Sequence, residues 1–355
     1  MKQIVNSSSH NFSTANQNCE PFAEETSSIK AVKILVYSFI LIVSLFGNSV
    51  VIATVVRNKR MRTTVNFLVA NMAASDLLIS IFAVPIKLCE IAVGPGRWLL
   101  NGIVGLISCK VSYFLQDIST AVSIQSLVVI AIDRYRGIVF PFRPAIITPN
   151  RCKIIIPLVW LSSMGLHAIY FYTIRIVTNN GTTYCKFNWA PAFDPRKAQE
   201  QYIIIVFVFI VILPFSIITV LYSLILWSLR KKKVINYFSS EFSRQRHNEN
   251  TKIFRYIFAI MFSFAICILP GFIYGILFYF VWKWKMPCNM EQFGFAVHFV
   301  LFSNAALTPV LTFVFNGRYR KGLKDVLKAL NLCHRDAGVN LSQEELELNE
   351  LQPGQ

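Results

Sequence analysis

The sequence predicts an all-α membrane protein, a seven-transmembrane helix bundle with a short cytoplasmic amphipathic helix after it. Three observations predict this. Seven long apolar stretches run through the 355 residues, at 34–56, 63–86, 111–132, 154–174, 201–229, 256–282 and 292–317. A helix needs about 20 apolar residues to cross ~30 Å of hydrocarbon, and every stretch is that long. The composition, 54% hydrophobic with 30 Phe and only 15% charged, leaves too little charge for a soluble domain of this length. Finally, the basic residues gather on alternate sides of the stretches. Arg57–Arg62, Arg134–Lys153, Arg230–Arg255 and the tail from Arg318 hold 23 of the 35 Lys and Arg.

That asymmetry sets orientation. Cytoplasmic loops carry the excess of Lys and Arg, which places the N-terminus outside the plasma membrane and the C-terminus in the cytoplasm. The net charge of +17 is thus accounted for by topology and needs no nucleic acid. Residues 1–31 read as an extracellular tail, 32–316 as the bundle, 317–331 as the amphipathic helix and 332–355 as a cytoplasmic tail. The N-terminal residues are polar and lack an apolar core, so no cleavable signal segment is expected. They carry glycosylation sequons at Asn6 and Asn11, and a third at Asn180 falls in the second outer loop.

Span one contains Asn48, span two Asp76, span three Ser123, and span seven Asn304 and Thr308. Polar groups at membrane depth are costly and mark function or helix packing. If their depths coincide they form one pocket around Asp76 whose oxygens suit a hard cation such as sodium. Prolines punctuate the spans at 85, 157, 214, 270 and 309 and free backbone carbonyls for neighbours to satisfy. Between spans four and five, Asn179-Asn180-Gly181 flanked by β-formers reads as a hairpin carrying Cys185. Cys109 and Cys185 both lie on the oxidising side, which favours a bridge between them. Cys19 and Cys288 are a second candidate pair. After Asn316-Gly317, Tyr319, Leu323, Val326, Leu327 and Leu330 recur at helical spacing among basic residues, the pattern of a helix lying on an anionic leaflet. Cys333 beyond it suits palmitoylation.

At the inner end of span three stands Asp133-Arg134-Tyr135, where a carboxylate neutralises a half-buried guanidinium until a partner takes it. Together with Gly47-Asn48, Leu68, Ala70, Asp76, Trp160, Pro214, Tyr222, Phe264, Pro270 and Pro309, this triplet makes the chain resemble a rhodopsin-like (class A) G-protein-coupled receptor. The resemblance covers roughly residues 32–330. It implies an extracellular ligand bound between the outer halves, outward movement of span six and engagement of a heterotrimeric G protein. It further implies that Cys109 and Cys185 form the family's outer disulfide, that Ile124, Pro214, Phe264, Pro270 and Pro309 belong to the switch, and that Arg134 and Tyr222 face the G protein. Departures are plain: Ile268 stands where the family carries the sixth-span tryptophan, while Thr308 and Thr312 replace the polar anchors of the seventh-span Asn-Pro-x-x-Tyr.

With no Lys in span seven there is no amine for a retinal Schiff base. Gln116 occupies the place where amine receptors carry an Asp, and Asp117, about 100° further round the helix, is expected to face away. Gln116 with Lys87 and Glu90 is similar to receptors for short neuropeptides of the neuropeptide Y, neuropeptide FF and orexin type. Lys87, Glu90, Gln116, Asp117 and Glu200 are therefore the candidate ligand residues. Other readings are a lipid- or small-molecule-responsive receptor, and a receptor fold with little G-protein signalling that acts as a scavenger or heteromer partner. The five scattered His and the lack of a catalytic arrangement point away from an enzyme, and no cofactor is expected. The tail offers few hydroxyls, so any arrestin contact that depends on phosphorylation would fall on Ser239, Ser240 and Ser243.

Overall fold

The computed structural model describes residues 26–94, 96–140, 143–179, 181–236, 241–287 and 290–328. The sequons at Asn6, Asn11 and Asn180, the pair Cys19 and Cys288, Cys333 and most of both tails lie outside the described residues. Among the described residues, seven helices are long and apolar enough to cross a membrane: Ser27–Arg57, Thr64–Val93, Gly102–Val139, Pro149–Thr173, Pro195–Arg230, Thr251–Val281 and Gln292–Phe315. They are spans one to seven below. The ends are written locally. Thr63, Thr148 and Asp194 accept backbone N–H bonds as N-caps of spans two, four and five, and Pro149 and Pro195 sit just inside two of them, where the missing N–H costs nothing.

Span three is central and packs on spans two, four and five, while span six packs chiefly on span seven. Large apolar side chains such as Leu35, Phe39, Trp227 and Phe262 remain exposed; on a membrane bundle these are lipid-facing groups. Polar side chains stitch the interior. Trp160 Nε1 donates to Asn71 Oδ1 at 2.9 Å, and Asn71 Nδ2 to Ser126 Oγ at 3.0 Å, joining spans four, two and three. Span one meets span seven closely because Gly47 has no side chain: a Cβ there would lie 2.7 Å from Pro309 Cβ. The same proline leaves the carbonyl of residue 305 without its intrahelical donor. Asn48 Nδ2 fills that place at 2.9 Å.

Prolines in spans two and five act differently. A π turn at Ile79–Ala83 precedes Pro85, and another at Val208–Ile212 precedes Pro214. Widening the helix by one residue relieves the clash between the ring and the carbonyl four residues back.

The outer hairpin forms as its sequence predicts. β1 (Ile174–Asn179) pairs antiparallel with β2 (Thr182–Phe187), with Ile176 opposite Cys185. Gly181, at φ +74°, supplies the left-handed turn position that glycine takes without strain. A disulfide joins Cys185 to Cys109 at the outer end of span three, across 76 residues. At the end of the bundle opposite the hairpin a helix covers 317–328. Tyr319 on it is fully buried, and its hydroxyl donates to Asn66 Oδ1 at 3.2 Å. Burial pushes the Tyr319 phenol far above its usual range, so it stays a donor at any physiological pH.

Candidate functional site

Two cavities and an inner latch are stacked along span three. The outer cavity measures about 330 Å³, within the range of small-molecule and cofactor sites. Span three contributes Tyr113, Gln116, Asp117 and Thr120 to its wall. These positions repeat at helical spacing and form one stripe. Asp117 thus faces the cavity, contrary to the expectation that it turns away. The cavity is wide enough to take two neighbouring helix positions, because span three stands at the centre of the bundle. Tyr170 Oη donates to Asp117 Oδ2, and Gln116 Nε2 to Asp117 Oδ1 at 3.4 Å. Phe187 of β2 also lines the cavity, so the disulfide-anchored hairpin forms part of its roof.

The other candidate ligand residues lie outside this lining. Lys87 Nζ pairs with Glu90 Oε2 at 2.6 Å, and Trp284 Nε1 donates to Glu200 Oε1 at 3.2 Å. Sequence reasoning had no way to see that these rim charges already have partners. It also missed Tyr170 and Tyr202, whose rings pack 5.8 Å apart against the cavity. Their places at the ends of spans four and five, on either side of Trp189 and Phe193, were the available signal.

Beneath lies a smaller cavity of about 20 Å³, lined by Asp76, Ser123 and Asn304. The structure therefore brings together three of the five residues expected in a polar pocket, while Asn48 is turned to the Ala305 carbonyl. Thr308 stands beside them, its side chain near Asp76 and its hydroxyl donating to the Asn304 carbonyl at 3.1 Å. Neither carboxylate oxygen of Asp76 has a hydrogen-bond partner among the described residues. An orphaned buried carboxylate with hydroxyl and amide oxygens around it is a donor set for a hard cation. Gln116, Asp117, Thr120, Ile268 and Leu301 line both cavities. Ile268 thus stands in the partition between the two.

At the inner end, Arg134 Nε donates to Asp133 Oδ2 at 3.0 Å and Nη2 to the same oxygen. The Arg134 side chain is 24% exposed and Asp133 8%. Tyr222 is buried near Arg134, its ring tilted against that of Phe254 at 5.3 Å, and its hydroxyl has no partner among the described residues. Ile124, Pro214 and Phe264 are buried above it, Ile124 and Phe264 in one apolar cluster. Where the seventh-span tyrosine is missing, span six supplies one instead. Tyr256 Oη donates to Thr312 Oγ1 at 3.2 Å, and Thr312 Oγ1 to the Thr308 carbonyl at 2.8 Å. Tyr256 begins the sixth apolar run, eight residues before Phe264 on the same helical face, but nothing in the sequence pairs it with Thr312.

Seven spans, an outer cavity under a disulfide-anchored hairpin, and an inner Asp-Arg pair together define a seven-transmembrane receptor. The family model for the 7 transmembrane receptor (rhodopsin family) matches residues 47–311, and the chain belongs to that family. It is 29% identical to neuropeptide FF receptor 2 of Mus musculus over 87% of this chain and 75% of the relative. It is also 29% identical to the substance-P receptor of Aquarana catesbeiana, over 82% of this chain and 69% of the relative. To the QRFP-like peptide receptor of Branchiostoma floridae it is 29% identical over 84% and 78%.

Proposed function

We propose that the protein is a plasma-membrane receptor that an extracellular peptide activates and that passes the signal to a heterotrimeric G protein. The observation that carries this is the outer cavity, set under an anchored hairpin and stacked above a packed switch region and the Asp133–Arg134 pair. The names of the similar receptors supply the peptide. In this reading the N-terminus faces outward and the basic loops and the 317–328 helix face the cytoplasm. Asp133, Arg134, Tyr135 and Tyr222 form the G-protein side. Ile124, Pro214, Phe264, Pro270 and Pro309 transmit the rearrangement, and Asp76, Ser123, Asn304 and Thr308 hold a sodium ion that favours the resting state. No catalytic step is involved.

A panel of amidated peptides applied to cells that express the receptor with a promiscuous G protein tests this by calcium readout. At least one peptide is expected to raise calcium only where the receptor is present. A response confined to lipids or small acids would contradict the reading.

The Tyr256–Thr312 contact holds span six to span seven at the inner end, so it opposes the opening a G protein needs. A hydrogen bond is worth about 1 kcal/mol net, about fivefold in a two-state population. Tyr256→Phe is expected to raise ligand-independent nucleotide exchange about fivefold. Thr312→Val should do the same, and the double variant no more than either alone. Unchanged basal exchange in both single variants would remove the latch from the account.

A further inference from the structure

We propose that the outer cavity is built for a ligand bearing a positive charge, with Asp117 as its counter-ion; this builds on the reading of that cavity as the ligand pocket. Among the described residues that line it, Asp117 is the one carboxylate, and no Lys or Arg accompanies it. The two histidines of the lining each place Nδ1 on a carbonyl one turn back, His167 on Ser163 at 3.0 Å and His298 on Gly294 at 2.7 Å. Lys110, two turns above Asp117 on the same helix, is drawn aside to the Phe171 carbonyl at 2.6 Å.

Asp117 is thus a carboxylate in a largely apolar enclosure without a protein cation in its wall, and a charge so placed is costly until it is paired. It accepts from Tyr170 and, at 3.4 Å, from Gln116. A carboxylate offers about four acceptor positions, so the capacity for a two-pronged donor remains.

The surroundings favour the same class of ligand. Tyr170 packs 5.2 Å from Phe187 and 5.8 Å from Tyr202, and Tyr113 lies 5.8 Å from Phe187. Such rings attract a desolvated cation through their electron-rich faces. Tyr202 Oη, also on the wall, lies beside the Tyr170 phenol and keeps acceptor capacity for a ligand donor. A guanidinium meets all of these demands: two parallel donors for Asp117, a flat face for the rings, and further N–H groups for a phenol oxygen. A ligand headed by an acid would meet Asp117 as a like charge. Asp117 therefore disfavours fatty and other small acids as occupants.

The probes are two libraries of C-terminally amidated tetrapeptides that differ only in arginine against citrulline, its uncharged isostere. They are assayed by calcium readout on the wild-type receptor, on Asp117→Asn and on Asp117→Glu, with an epitope tag to confirm that each reaches the cell surface. Arginine peptides are expected to activate wild type about 100-fold more potently than their citrulline counterparts, the scale of a desolvated charge pair. Asp117→Asn should weaken the arginine peptides about 100-fold and bring the two libraries within a few-fold of each other. Asp117→Glu should keep most of the preference. Equal potency of the two libraries on wild type, or a preference that survives in Asp117→Asn, would overturn the counter-ion role while leaving the peptide-receptor reading intact. Silence of both libraries on wild type at the surface would instead contradict that reading.

Discussion

Replacing Arg134 by alanine is expected to abolish agonist-dependent nucleotide exchange, lowering it about 100-fold or more while ligand affinity at the outer cavity changes little. The guanidinium rests against Asp133 at the inner end of span three, 24% exposed and locally neutralised. In the proposed activation, opening of span six would release it from this contact toward the G protein. Two hydrogen bonds from a charged donor are worth about 1.5–3 kcal/mol each, which accounts for the size of the loss. Arg134→Lys keeps the charge but not the planar fork and is expected to retain only a minor part of the exchange. The check is nucleotide uptake by purified G protein alongside ligand binding on the same membranes. Full exchange in Arg134→Ala would remove this residue from the coupling surface.

The second large effect concerns the outer disulfide. Cys109→Ala or Cys185→Ala frees the hairpin that carries Phe187 into the cavity wall. The bridge closes a 76-residue segment, and disulfides of that kind contribute about 2–4 kcal/mol. Cys109 is fully buried in a cluster with Tyr170 and Ile174, so the loss reaches the residue that orients Asp117. Each single variant is expected to lower the thermal midpoint, the surface level and agonist potency together, and the double variant no further than either single one. A thermal melt and a dose–response curve read both effects. A single variant with unaltered midpoint and potency would show that the hairpin holds its place without the bridge.

Much of this was legible in the sequence, and the reasons are physical. Spans follow from apolar length, the hairpin from Asn179-Asn180-Gly181 between β-formers, and the inner helix from the spacing of Tyr319, Leu323 and Val326. Such signals are local. What stayed hidden depends on which surfaces meet. A helical wheel places Asp117 away from Gln116, but a cavity broad enough for both admits the two together. Lys87, Glu90 and Glu200 look available until Lys87 and Glu90 are seen to pair with each other and Glu200 with Trp284. Loss of the seventh-span tyrosine reads as a missing anchor, whereas Tyr256 reaches Thr312 from the neighbouring helix. The π turns before Pro85 and Pro214 are likewise a choice among ways to relieve one clash, which the proline alone does not decide.

In the proposed mechanism a ligand in the outer cavity drives exchange on a G protein at the inner face. Its most direct test places the purified receptor in lipid nanodiscs with a heterotrimeric G protein and follows nucleotide uptake as an activating amidated peptide is added. Uptake is expected to rise with peptide concentration, to fall about 100-fold in potency with Asp117→Asn, and to disappear with Arg134→Ala. Peptide binding at the cavity with no nucleotide uptake by any G-protein class would contradict it.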